Sequence, residues 1–327
     1  MTQTFNIIAV GQAGRLQYEA VLLAASLRDT NPDFAGTFYL AEPQPGKAWS
    51  EDPRIKDRAT RDLLKSLGVI FLPFDSKAFG SRYPYGNKIE ALAALPDAPF
   101  LFLDTDTLIC GALDRLSLDF NRPSASMRRE GTWPTIELYG PGYAAIWRGL
   151  YDRFGLDFDS SLDLTQPDGY WQRYLYFNAG WFFHTSPRAF GERFLAYATE
   201  VRDNRTPELV CQELNPWLDQ VVLPLVIHSF GGGRPGPQLA GLDGEVTCHY
   251  RTLPLLFARE SDAVVAALER IAAPNPVKRV LKEYEPFRKM LYQGKGAEVR
   301  ALFDRANLPG REQMIRNTIK REGLWMR

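Results

Sequence analysis

The segment Pro99-Phe-Leu-Phe-Leu-Asp-Thr-Asp-Thr-Leu108 runs four apolar residues, Phe100 to Leu103, directly into a pair of carboxylates. An unbroken apolar run of this length reads as a strand buried on both faces, the pattern of a parallel sheet. The aspartates then fall at the C-terminal end of the strand, the rim where open α/β sheets hold ligands. Residues i and i+2 of an extended segment point the same way, so Asp104 and Asp106 can converge on one site. Two close carboxylates repel, and burial raises that cost. A divalent cation relieves it, because Mg²⁺ and Mn²⁺ take oxygen ligands and commonly bring phosphate with them. The alternative is one turn-capping Asp beside a solvated one, since Asp favours turns after strands.

On either side of this segment, strands alternate with helices. Phe5 to Val10 predicts a first buried strand, Gly11 to Gly14 a turn, and Leu16 to Leu27 a helix ended by Asn31-Pro32. Thr37 to Leu40 and Val69 to Leu72 predict two more strands. Between them lie a Pro-, Gly- and charge-rich loop, Glu42 to Asp57, and a helix from Asp62 to Leu67. Asn87 to Leu95 predicts the helix that leads into the aspartate strand, which is then the fourth. This alternation implies a mostly parallel α/β sheet. Residues 133–147 and 170–183 carry most of the tryptophan. Tyr174 to Phe183 reads as a strand broken at Asn178-Ala-Gly180. Pro187 to Val201 and Leu218 to Val226 read as helices, Phe230 to Gly236 as a flexible loop, and Glu245 to Tyr250 as a short strand. From Asp262 onward the pattern is helical, with breaks at Pro274-Asn-Pro276 and Pro309-Gly310. No internal repeat is present.

A chain of 327 residues, 45% hydrophobic and 24% charged, has the composition of an ordinary globular protein with room for a large core. Lys+Arg and Asp+Glu both total 39, so net charge gives no support to a nucleic-acid partner. The charge is uneven, however: residues 264–327 hold 14 basic and 7 acidic side chains, a basic tail on an acidic body. Cys110, Cys211 and Cys248 show neither paired nor metal-ligand spacing, which points to a reducing compartment. Met1 to Val10 lacks the basic start and cleavage site of a leader. No apolar stretch reaches the ~18 residues that span a bilayer. The expectation is a cytoplasmic protein, with at most peripheral contact between its basic tail and the inner face of a membrane.

Four further pieces line up with the aspartate pair. Gly86-Asn-Lys-Ile-Glu-Ala-Leu92 feeds the strand Leu101 to Asp106, Phe177-Asn-Ala-Gly180 follows, Leu218-Asp-Gln-Val221 opens a helix, and Thr247-Cys-His-Tyr250 ends a strand. Over roughly residues 5 to 255 this order resembles the GT-A fold glycosyltransferases, most closely the retaining group that includes glycogenin and the lipooligosaccharide galactosyltransferases. The resemblance implies a Rossmann-like, mostly parallel sheet flanked by helices, with residues 1–255 as the nucleotide-sugar-binding catalytic domain and 256–327 as a helical C-terminal extension. It implies a nucleotide-sugar donor, a UDP-sugar, and a glycan, glycolipid or other hydroxyl acceptor. The chain departs from the family after His249. Members continue H-x-x-G-x-x-K-P-W, whereas here the sequence is His249-Tyr-Arg-Thr-Leu-Pro-Leu.

By the same resemblance, Asp106 binds the metal directly, Asp104 binds metal or the ribose hydroxyls, and His249 is the third protein ligand. Two carboxylates and an imidazole suit Mn²⁺ better than Mg²⁺. Val10, at the end of the first strand, and Thr105, between the aspartates, belong to the donor-binding set. Tyr18 would stack on the base, or else pack in the core. Lys88 would face the donor, or else lie on a solvated helix face. Asn178 would hold the sugar or acceptor, or else form a β-bulge in a left-handed conformation. Asp219 would bind sugar hydroxyls, with helix N-capping as its alternative. Gln220 would lie near the anomeric carbon. Arg251 would replace the missing Lys as phosphate partner. Of the other histidines, His184 is expected to cap or pack at its strand end and His228 to be structural.

Two other functions compete. Leu101 to Leu108 also resembles the first motif of haloacid-dehalogenase-type phosphatases, D-x-D-x-T, with Asp104 as nucleophile and Asp106 as general acid. That family places the motif near the start of its domain and needs a later acidic pair after a strand. A complete α/β unit precedes the motif here, and no such pair follows. The second competitor is a non-catalytic protein of similar fold that binds nucleotide sugars or glycans.

Overall fold

The computed structural model describes residues 4–326. Met1 to Gln3 of the segment read for a leader, and Arg327 of the basic tail, lie outside the described residues. In chain order the elements are β1 (Asn6–Val10), α1 (Arg15–Thr30), β2 (Phe38–Pro43), α2 (Arg58–Ser66), β3 (Val69–Phe74), α3 (Asn87–Glu90), β4 (Phe100–Leu103), β5 (Thr107–Ile109) and β6 (Ala125–Ser126). Next come α4 (Tyr143–Arg153), β7 (Asn178–His184), α5 (Pro187–Asp203), α6 (Leu218–Ser229), β8 (Thr247–His249) and α7 (Leu253–Arg259). The chain closes with α8 (Asp262–Ala272), α9 (Asn275–Leu281), α10 (Glu285–Tyr292), α11 (Lys295–Ala301) and α12 (Glu312–Arg321).

Six strands form one sheet in the order β3-β2-β1-β4-β7-β6. The pairs β1–β2, β1–β4 and β2–β3 are parallel, while β7 runs antiparallel to both β4 and β6. β5 and β8 make a separate antiparallel pair. The sheet is therefore mostly parallel and flanked by helices, as the sequence pattern predicts. Successive strand residues point to opposite faces, and the burial follows that period. Ile7, Ala9, Leu101, Leu103, Trp181 and Phe183 pack against α1, α2 and the helices from α7 onward. Ile8, Val10, Phe100, Phe102 and Phe182 pack against α3 to α6. Each such fully buried side chain contributes about 1.5–3 kcal/mol, so the two apolar layers dominate the stability of the sheet.

Several helices start where their sequence supplies a cap. The Asp57 carboxylate accepts from Thr60 N–H ahead of α2, and Ser186 accepts from Ala189 N–H ahead of α5, with Pro187 in the first turn. Several boundaries differ from the sequence pattern; α2, for one, starts at Arg58 rather than Asp62, behind its Asp57 cap. The Asn87 helix tightens into a 3₁₀ turn at Ala91–Ala94. β7 begins at Asn178 rather than breaking there, and Asn178 Oδ1 accepts from Gly180 N–H. α7 follows directly on the late histidine, with Pro254 in its first turn. The Tyr143–Arg153 helix, which the sequence pattern does not predict, starts inside the tryptophan-rich stretch 133–147.

Candidate active site

The site gathers at the C-terminal end of β4. Asp104 N–H bonds Gly180 O at 2.9 Å, which fixes the first aspartate beside β7. Thr107 pairs with His249 in the β5–β8 ladder, and Tyr250 N–H bonds Asp106 O at 2.9 Å. That ladder carries a histidine from 143 residues away to the second aspartate, His249 Nε2 lying 3.1 Å from Asp106 Oδ1. Its distance to Asp104 Oδ2 is 3.9 Å. One ligand atom from each of Asp104, Asp106 and His249 falls within 4.8 Å of the others. Gly180 makes room for this arrangement: a Cβ there would collide with the His249 ring.

The donor set, two carboxylates and an imidazole facing one another at this separation, fits a divalent cation. Burial opposes ionisation of Asp106, yet His249 and Arg15 outweigh it and hold the carboxyl down at about 2, ionised as a ligand must be. Asp104 is pushed the other way, by burial and by the charge of Asp106. Its counterion is Lys88. The ammonium lies 3.0 Å from Asp104 and 3.3 Å from Asp219, and donates to Ala179 O at 3.2 Å. Lys88 is buried, which overturns the solvated-face alternative. Burial favours its neutral form, but the two carboxylates prevail and raise its pKa.

Asp219 is not a helix cap. It lies inside α6, after Trp217 at the N-cap position, and is buried. Its Oδ1 accepts from Tyr83 Oη at 2.7 Å, and its own N–H donates to that oxygen at 2.9 Å. Gln220 Oε1 accepts from Tyr176 Oη at 3.0 Å. Asn178 Nδ2 donates to Arg128 O at 3.1 Å. Asn178 is not left-handed, although the β6–β7 register does shift beside it. Thr105 donates to Glu19 at 3.2 Å.

Three of the expected donor residues are engaged elsewhere. The Val10 side chain is in the core. The Tyr18 ring stacks on Tyr284, with centroids 5.0 Å apart, which follows the packing alternative. Arg251, at φ 60°, pairs with Glu130 at 3.2 Å and Glu312 at 3.1 Å. The guanidinium that does reach the aspartates is that of Arg15, 3.6 Å from Asp106. Arg15 also pairs with Glu19, whose pKa burial and Asp106 together raise well above normal. Sequence reasoning passed over both, although a charged i, i+4 pair entering an apolar helix was a visible signal. His184 bonds Ser186 and packs on Phe230, and His228 packs edge-on against Tyr151, both structural as expected.

A carboxylate–imidazole triad that could hold a metal ion thus sits at the rim of a mostly parallel sheet, with a buried Lys–Asp pair beside it. The profile of the Rhodobacterales glycosyltransferase domain matches residues 7–231, and the chain belongs to that family. The protein is thus a glycosyltransferase, and the phosphatase reading of the D-x-D-x-T segment falls. No curated protein matches the chain. Among solved structures it is similar to the galactosyltransferase LgtC in complex with donor and acceptor sugar analogs, at 14% identity and TM-score 0.46 over 84% of this chain and 96% of that one. It is also similar to the bifunctional glycosyltransferase WbbM, at 12% identity and TM-score 0.48 over 86% and 52%. A third is the glycosyltransferase GlyE of Streptococcus pneumoniae, at 13% identity and TM-score 0.40 over 99% and 64%.

Proposed function

We propose that this glycosyltransferase moves a sugar from a nucleotide-sugar donor, a UDP-sugar, to a hydroxyl of a glycan or glycolipid, at a metal-dependent site of GT-A type. The observation that carries the proposal is the convergence of Asp104, Asp106 and His249, from separate segments, to within 4.8 Å. A divalent cation bound there, Mn²⁺ in preference to Mg²⁺, would neutralise charge on the departing diphosphate. Arg15, rather than Arg251, is the guanidinium next to Asp106 and would meet the diphosphate from the α1 side. Thr105 and the backbone at Val10 would complete the donor-binding rim.

Asp219 would accept hydrogen bonds from sugar hydroxyls, Gln220 would face the anomeric carbon, and Asn178 with the Gly180 backbone would border the sugar and acceptor. Asp219 is bound by Tyr83 and paired with Lys88, so it is poorly disposed to take a proton from the acceptor. That supports retention of configuration, since inversion needs a free carboxylate base. In this reading residues 1–255 form the catalytic unit and 256–327 a helical extension that shares its core, the boundary falling inside α7, in a reducing, cytoplasmic setting. Among the described residues no helix is long and apolar enough to cross a membrane.

The test is a thermal-shift screen of nucleoside diphosphates and nucleotide sugars, with and without Mn²⁺. Native-state ligands raise the melting temperature by mass action. UDP and one UDP-sugar should stabilise the protein only with the metal, and Asp106→Asn should remove the effect while leaving the unliganded melt in place. Stabilisation that ignores Mn²⁺ would overturn the metal-dependent site.

A further inference from the structure

Arg129 is a cation without an anion. Its guanidinium lies 4.5 Å from the centroid of the Trp171 ring and 5.6 Å from that of Tyr176. Its Nη1 is buried with no hydrogen-bond partner, and among the described residues no carboxylate pairs with it. Arg15 pairs with Glu19 and Asp106, Arg128 with Glu260, and Arg251 with Glu130 and Glu312, while Arg234 donates to the carbonyls of Ser161 and Arg173. Burial lowers the pKa of Arg129 to about 10, and the like charge of Arg234 acts in the same direction. A desolvated charge is costly unless something pairs with it, and two aromatic faces satisfy its π surface but none of its N–H donors.

The surroundings of Arg129 tie it to the sugar end of the site. The Tyr176 ring that carries the guanidinium also donates its hydroxyl to Gln220 Oε1 at 3.0 Å. Burial, with the charge of Asp219 behind it, raises the phenol pKa and keeps it a donor. The carbonyl of the preceding residue, Arg128, accepts from Asn178 Nδ2 at 3.1 Å. A guanidinium held between aromatic rings is pre-oriented and presents a planar fork of donors, the geometry that takes a carboxylate or phosphate bidentately.

We propose that Arg129 is the anion-recognition residue on the sugar side of this site. The transferred sugar or its acceptor bears an anionic oxygen group that pairs with the Arg129 guanidinium. The assignment rests on the sugar-transfer reading above. It names the charge of the substrate, which that reading leaves open.

Calorimetry with Mn²⁺ separates the two sources. UDP-glucose and UDP-glucuronate probe the donor. Glucose, glucuronate and glucose 6-phosphate, titrated into enzyme saturated with UDP and Mn²⁺, probe the acceptor. In one arm an anionic probe should bind at least about tenfold tighter than its neutral counterpart, the scale of a charge-assisted bidentate contact. Arg129→Gln should bring that ratio close to one, and Arg129→Lys should keep part of it. Equal affinities within both arms, or a ratio that survives Arg129→Gln, overturn the assignment. If Arg129→Gln fails to fold, the wild-type ratios and Arg129→Lys decide. Failure to bind UDP with Mn²⁺ would sink the sugar-transfer reading and this one together. UDP binding without any anionic preference sinks only this one.

Discussion

The imidazole of His249 packs against the backbone of Gly180, in the space a Cβ would fill. The two residues belong to different sheets, β8 and β7, and Gly180 is not at a positive φ. The glycine is therefore there for close approach, not for a backbone conformation that only glycine adopts. Gly180→Ala should leave the strand in place at a cost of about 1–3 kcal/mol for overpacking. It should also push the ring off the aspartates and weaken Mn²⁺-dependent UDP binding by about 10–100-fold, the loss typical when the support of a metal ligand is altered. Titration calorimetry reads both metal and nucleotide affinity. Unchanged affinity would remove His249 from the ligand set.

Lys88 holds two carboxylates at once, and the chain depends on it for more than ligand contact. Removing one partner of a buried ion pair leaves uncompensated charge, typically a loss of 3–5 kcal/mol. Lys88→Met should cost about 3 kcal/mol in urea unfolding, the low end of that range because Asp104 keeps some exposure while Asp219 has almost none. Adding Asp219→Asn to Lys88→Met should recover part of the loss, since one orphaned charge is then gone. Additive losses in the double variant would show that the two groups do not interact.

Much of this architecture was legible because the central strands are apolar without a break. Phe100 to Leu103 could only be buried on both faces, and that placed Asp104 and Asp106 at the rim. The contacts made by polar residues far apart in the chain were not legible. Lys88 lies on a single turn of helix that resembles a surface segment, and its partner Asp219 comes 131 residues later, brought in by α6. Arg251 and Tyr18 fit the resemblance by position and residue type, but each finds a partner in the C-terminal helices or the segments leading to them. α7 escaped notice because Pro254 reads as a breaker, although proline is tolerated in a first helical turn.

The cysteines offer a test of the packing around β5 and β8. Cys211 is exposed, Cys110 half-buried and Cys248 buried. Burial, aided by Glu260, pushes the Cys110 thiol up to about 12. Cys248 is raised well above normal for the same first reason. A raised thiol pKa means less thiolate at any working pH, and the thiolate is the reactive form. At pH 8 one thiol, Cys211, should react quickly with a disulfide reagent in the native protein and all three after denaturation. Raising the pH to 9 should leave Cys110 and Cys248 slow, since both thiols are held above their ordinary pKa. Two fast thiols in the native state would mean that the β5–β8 pair opens readily.

The basic tail raises the question of whether the enzyme sits on a membrane. Lys278, Arg279, Lys282, Arg288 and Lys289 are the residues that would meet an anionic surface, where each basic group adds about 1 kcal/mol. In the structure that set is partly engaged. Lys278 and Lys282 lie 5.5 and 5.6 Å from the Tyr292 ring, and Lys289 pairs with Glu285 at 2.6 Å. The apolar faces of the tail helices are occupied as well, since Leu268, Val277, Phe287 and Ile315 share one core with Ile7 and Leu101. No apolar face of α8, α9 or α12 is thus left to enter a bilayer, and charge alone would have to hold the protein there. In sedimentation with anionic vesicles the protein should therefore stay in the supernatant at physiological salt, where screening acts over about 8 Å. Binding that persists at that salt would show that the tail docks on lipid, and would favour a lipid-linked acceptor over a soluble one.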